Sequence, residues 1–188
     1  MTGDSVNPSL TPKEIIKVTE ETLERGRSKQ QVLDDLSRGQ QFHSREYLAQ
    51  IISLVPDAEL RQRYRVLNRA LFGLLLFAAG LCLAEGILLF SRGLSRPGGT
   101  AFFGFFVILS FAPQVRQMRG SIYRPLGLLS LMITVGLASR LSTFSPWNLP
   151  VILSFGATSI LAFYLGSSLF PHRGFMGTKK DPNGNWML

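Results

Sequence analysis

The sequence predicts an all-α, polytopic membrane protein: a four-helix transmembrane bundle preceded by a short helical cytoplasmic region. Three observations carry this. The apolar residues are concentrated in long runs after residue 69, such as "LPVILSFGATSILAFYLGSSLF", which has no charge over residues 149–170. Charge is divided along the chain. Residues 1–60 hold seven basic and ten acidic side chains, whereas residues 61–188 hold thirteen basic ones and only two acids, Glu85 and Asp181. Within residues 11–60 the apolar positions instead recur at helical spacing between capping signals.

The N-terminal region, residues 1–60, reads as three short helices. "TPKE" places Thr11 as a cap, Pro12 at the first helical position and Glu14 where it can reach back. Ile15, Val18 and Thr22 then share one side, with Ile16 and Leu23 beside them, and Gly26 stops the helix. Ser28 and Gln31 open a second helix, whose apolar face is Val32, Leu33 and Leu36 and whose end is Gly39. Ser44 caps a third, with Tyr47, Leu48, Ile51, Ile52 and Val55 at helical spacing before Pro56. Helices this short are marginal alone in water and must pack on something. Asp57 is expected to cap the next helix, which runs unbroken into the membrane and spans about 50 Å to residue 90.

The bundle is expected over residues 61–171, with spans at about 69–90, 98–115, 124–141 and 149–170. The second is short and rich in Phe. The third has fifteen residues between Arg124 and Arg140, so both arginines must snorkel to the interfaces for it to cross. A re-entrant hairpin of the second and third segments is the alternative. With four spans, ten basic residues fall on one side, and Arg92, Arg96 and Arg140 on the other. By the positive-inside rule both termini are cytoplasmic. "MTGDSVNPSLTPKE" has neither the basic nor the apolar region of a signal peptide, and a bacterial inner membrane is the expected location. Residues 172–188 form a cytoplasmic tail, in which "DPNG" marks a turn that could bring Phe175 near Trp186.

These features exclude several function classes. The basic residues flank apolar segments while the water-facing part is acidic, so nucleic acid is not an expected partner. One cysteine, Cys82, excludes an intrachain disulfide and a cysteine-cluster zinc site. His43 and His172 both lie outside the spans, so neither serves as a transmembrane haem ligand. No catalytic set, metal-ligand spacing or phosphate loop is present. The expectation is a non-enzymatic protein without cofactor. Its partners are the lipid bilayer and another protein or a second copy of itself. The clusters "RQRYR" and "RQMRG" serve as topology determinants, with anionic-lipid binding as the alternative.

Two features inside the spans require an explanation. Ser154, Thr158, Ala162 and Gly166 recur every four residues in the fourth span; Ser130, Thr134 and Ala138 do so in the third, with Gly127 one turn earlier. Small side chains at this spacing let helices approach closely, so spans three and four are expected to pack as an antiparallel pair. A hydroxyl-lined conduction path is the alternative use of these residues. The second feature is Glu85, beside the small series Ala78, Cys82 and Gly86. A carboxylate at membrane depth should be paired or protonated. It is expected to be buried near the outer end of the bundle, with Arg140 as its partner. Alternatively it is a proton-linked transport site. In outline, four short spans with one glutamate in the first, the chain resembles the small multidrug transporters, and the resemblance implies a proton-linked transporter or channel using Glu85. The chain departs from that family by its 60-residue N-terminal region and by Trp147 and Trp186, both outside the spans. The leading expectation is a membrane subunit or scaffold.

Overall fold

The computed structural model describes residues 10–39, 43–139, 148–174, 177–182 and 186–188. The described residues are overwhelmingly helical, and they divide into two compact units: residues 1–58 with 170–188, and residues 59–169.

The first unit is built on three helices, α1 (Pro12–Glu24), α2 (Lys29–Gly39) and α3 (Arg45–Ile52). Their ends follow from local chemistry. At the start of α1 the Thr11 N–H donates to the Glu14 carboxylate at 2.7 Å, while Thr11 Oγ1 accepts from the Glu14 N–H. The Thr11 N–H and, after it, the Thr11 hydroxyl, which donates to Glu14 Oε2 at 2.8 Å, pull the Glu14 carboxyl below its usual range. At the other end Gly26, with φ +81°, turns the chain, and the Gly26 and Arg27 N–H groups satisfy the Leu23 and Thr22 carbonyls. Ser28 and Gln31 exchange the same reciprocal bonds at α2, and Ser44 caps α3 through the Tyr47 N–H.

The three faces meet in a core of Ile15, Val32, Leu33, Leu48, Ala49, Ile51 and Ile52. Thr19, rather than Val18, is the buried middle residue of α1; its hydroxyl donates to the Ile15 carbonyl, so its burial leaves no polar group unpaired. The C-terminal segment belongs to this unit. β1 (Arg173–Gly174) and β2 (Gly177–Thr178) pair antiparallel, and a further bridge joins Lys180 to Trp186; Asn183 and Gly184 of the expected "DPNG" turn lie outside the described residues. Trp186 and Leu188 pack against the helical core, with the Lys180 ammonium 4.1 Å from the indole centroid. Phe175, expected near Trp186, lies outside the described residues.

The second unit contains α5 (Arg65–Ser91), α6 (Ser95–Arg116), α7 (Tyr123–Ala138) and α8 (Asn148–Leu169), preceded by α4 (Ala58–Arg63). The expected unbroken helix from Asp57 is interrupted at Tyr64, whose backbone (φ −95°, ψ 8°) leaves the helical region while its ring packs edge-on to Tyr164. Asp57 pairs with Lys29 at 3.3 Å. Three helices, α5, α6 and Leu149–Leu169 of α8, are long and apolar enough to cross a membrane. The chain is a multi-pass membrane protein on that reading. α7 has 16 residues, about 24 Å at 1.5 Å per residue, short of a hydrocarbon core of about 30 Å.

Packing runs α6–α5–α8–α7, with the extensive contacts between neighbours in that row. α5 and α6 approach through glycine. A Cβ on Gly98 would sit 2.7 Å from the Phe90 ring, and one on Gly86 would sit 3.1 Å from the Phe102 ring. Large apolar side chains, among them Phe77, Phe103, Phe106, Met132 and Ile160, point away from the packed helices. A bilayer is the solvent in which such a surface is stable.

Candidate functional site

The region where α5, α6 and α7 come together holds the polar centre of the second unit. Asn68 lies on the buried face of α5, in phase with Leu71, Leu75, Ala78, Cys82 and Gly86. Its side-chain amide donates to the Val115 carbonyl of α6 at 2.8 Å. Its carbonyl oxygen accepts from the Tyr123 hydroxyl at the start of α7, at 2.6 Å. Tyr123 is fully buried and Asn68 nearly so. Each polar group therefore has a partner, as burial requires. α8 reaches the same place through Gly166, where an added Cβ would lie 3.1 Å from Tyr123 Cβ. Neither Asn68 nor Tyr123 was expected from the sequence. The available signal was a lone amide in "RVLNRALFG", in register with the small residues of the first span.

The small-residue series lie where α7 and α8 pack. Gly127 is in contact range of the Phe163 ring, 3.1 Å from an added Cβ, and its carbonyl accepts from Ser159 Oγ at 2.9 Å. A Cβ on Gly156 would lie 3.8 Å from Thr134 Cγ2. As α7 numbers rise from 123 through 127 to 134, their α8 partners fall from 166 through 163 to 156, so the pair is antiparallel. Ser130, Ser154, Thr158, Ala162 and Gly166 are buried, and Thr134 and Ala138 are half-buried.

The phase of α8 refines the expected stripe. The close approaches to α7 come from Gly156, Ser159, Phe163 and Gly166. Thr158 lies 100° from Ser159 by helical geometry, so Ser154, Thr158 and Ala162 occupy the adjoining arc, and α8 also packs on α5. The hydroxyls of Thr134, Ser154 and Thr158 donate to their own helix at Ser130, Pro150 and Ser154. That leaves them engaged in local bonds rather than arrayed along a polar path.

Glu85 differs from expectation. It is exposed on α5, not buried in the bundle. The reason is helical phase: the buried positions drift along α5 toward Gly86, which meets Phe102, and Glu85 sits 100° away. Arg140, its expected partner, lies outside the described residues, as does Trp147. No group of three or more His, Cys, Asp or Glu able to hold a metal occurs among the described residues.

In the first unit the notable ionic contact is Lys29 with Asp57. Lys29 is almost fully buried, whereas Asp57 is half exposed. Burial pulls the Lys29 ammonium below its ordinary value, and the Asp57 carboxylate opposes that.

No protein-family model, curated protein or solved structure matches this chain.

Proposed function

We propose that the protein is a non-enzymatic membrane subunit or scaffold of a bacterial inner membrane. It crosses four times, keeps both flanking segments in the cytoplasm, and presents its N-terminal helical unit as the surface for a protein partner. One observation carries the proposal. Trp186 and Leu188, from beyond the last span, pack on the core made by residues before the first. Segments that fold together lie on one side of a bilayer, so the number of crossings between them is even. Three helices are long enough, and α7 supplies the fourth if Arg124 and Arg140 reach the interfaces. The charge asymmetry puts the folded segments inside.

The scaffold reading is supported by what the polar groups do. The intramembrane hydroxyls are engaged in helix–helix and intrahelical bonds, and Asn68 and Tyr123 join three helices. A transporter using Glu85 calls for a carboxylate inside the bundle, and the exposure of Glu85 gives that reading no support. The test compares variants of the full chain isolated in mild detergent with whatever binds it stoichiometrically. Replacing exposed Lys17, Glu21 and Tyr47 with Ala should release the partner, and Glu85→Gln should not. Proton-coupled flux in reconstituted vesicles, abolished by a folded Glu85→Gln protein, would replace the scaffold with a transporter.

A further inference from the structure

Every basic residue within residues 59–169 is an arginine, ten in all, and the five lysines all lie in the other unit. Membrane topology is set by lysine as well as by arginine, so topology does not require this choice. Arginine differs in its planar fork of donors, which matches a phosphate in two-point contact.

The fold concentrates several of these arginines. Asn68, Val115 and Tyr123 meet through two hydrogen bonds, and the next residue after each is an arginine: Arg69, Arg116 and Arg124. Arg65 lies one turn before Arg69 on the same face of α5. Arg65, Arg69 and Arg116 are exposed, and no ion pair among the described residues involves them. The acids of this unit are Glu59, exposed on α4, and Glu85, far along α5. The stripe that begins at Arg65 and Arg69 continues down α5 through Gly73, Leu76 and Gly80, all exposed. Both glycines have open space where a side chain would stand.

We infer that this junction binds one anionic phospholipid, its phosphate held by Arg65, Arg69 and Arg116 and one acyl chain lying along Gly73, Leu76 and Gly80. The inference rests on the reading that these helices cross a bilayer with this end in the headgroup layer. A phosphate in that layer meets positive charge with few competing carboxylates. The apolar stripe below it fits a chain rather than a free ion, which commits the site to lipid.

The test uses the full chain in mild detergent, with bound lipid counted by native mass spectrometry and thermal midpoints measured alongside. Dioleoylphosphatidylglycerol should be retained at about one per chain, and should raise the midpoint. Dioleoylphosphatidylcholine should do neither. The triple variant R65K/R69K/R116K keeps the charge and loses the forks, so it should bind the anionic lipid about tenfold more weakly or worse. Gly73→Leu with Gly80→Leu, at open positions that leave the helix packing intact, should also weaken retention several-fold. Equal retention of the two lipids, or unchanged affinity in both variants, would leave only diffuse attraction and overturn the inference. Displacement of the lipid by excess inorganic phosphate would overturn it in favour of a free-anion site. Cysteine labelling of the same preparations separates the two failures, because a wrong topology alters labelling and a wrong lipid site does not.

Discussion

Tyr123→Phe is the most informative single change in the membrane unit. It removes one oxygen and keeps the ring, so packing against Gly166 is unchanged and the effect is confined to the hydroxyl. The bond lost is the 2.6 Å contact to Asn68 Oδ1, between two side chains that are 0 % and 3 % exposed. A neutral hydrogen bond contributes about 1 kcal/mol net, and an acceptor left buried without a partner costs about 1–3 kcal/mol. Interhelical bonds measured within membranes average about 0.6 kcal/mol and reach about 1.7. The junction lies at a helix end but is closed to solvent, so we expect a loss of about 1–2 kcal/mol, near the upper membrane values. Pulse proteolysis along an SDS titration in mixed micelles measures this loss. Asn68→Ala should cost more, because it also strips the donor to the Val115 carbonyl. The double variant should fall short of the sum by about 1 kcal/mol. A Tyr123→Phe protein within about 0.3 kcal/mol of the parent would refute the junction as a stabilising element.

Three further outcomes are expected. Gly127→Leu should destabilise the bundle by about 2 kcal/mol or more, because a side chain there drives into the Phe163 ring, while Gly136→Leu, facing open space, should be neutral in the same assay. Thr158→Leu and Ala162→Leu, at fully buried positions, should each lower the detergent melting midpoint, and Ile160→Leu, 72 % exposed, should not; equal melting of all three would contradict close packing at α8. Lys29 supplies a pH test: its folded pKa lies below the ordinary 10.5. In the interval between them the unfolded chain holds a proton that the folded unit has shed. Stability of the first unit should therefore rise as pH climbs toward 10.5, relative to Lys29→Met. Trp186 fluorescence in a Trp147→Phe background measures it.

The helix ends and the apolar runs were legible because their causes are local. Thr11 with Glu14, Ser28 with Gln31, and Gly26 at positive φ each solve a problem within four residues of themselves. What escaped the sequence reading is set by neighbours distant in the chain. Asn68 bonds groups 47 and 55 positions away, and a lone amide carries no mark of its partner. Glu85 stands next to Gly86 in the chain, and sequence alone places both at the helix contact. A one-residue step rotates the side chain by 100°, and only the seating of Gly86 on Phe102 decides which residue faces inward. The stripe on α8 shows the same limit. Spacing of four residues identified buried positions, but it did not distinguish the arc facing α7 from the one beside it. The place of Trp186 and Leu188 on the N-terminal core depends on both ends of the chain at once, beyond the reach of any window of sequence.

The central claim, that the protein crosses the membrane four times with its two flanking segments together inside, is tested most directly by cysteine labelling in intact cells. Single cysteines in a Cys82→Ala background replace Glu24, Ser95, Ser121, Ser142 and Met187, of which Glu24, Ser95, Ser121 and Met187 are exposed. A membrane-impermeant maleimide should label 95 and 142 from outside, and label 24, 121 and 187 only after the membrane is opened. Labelling of 142 on the same side as 121, or of 24 and 187 on opposite sides, would contradict the four-crossing account.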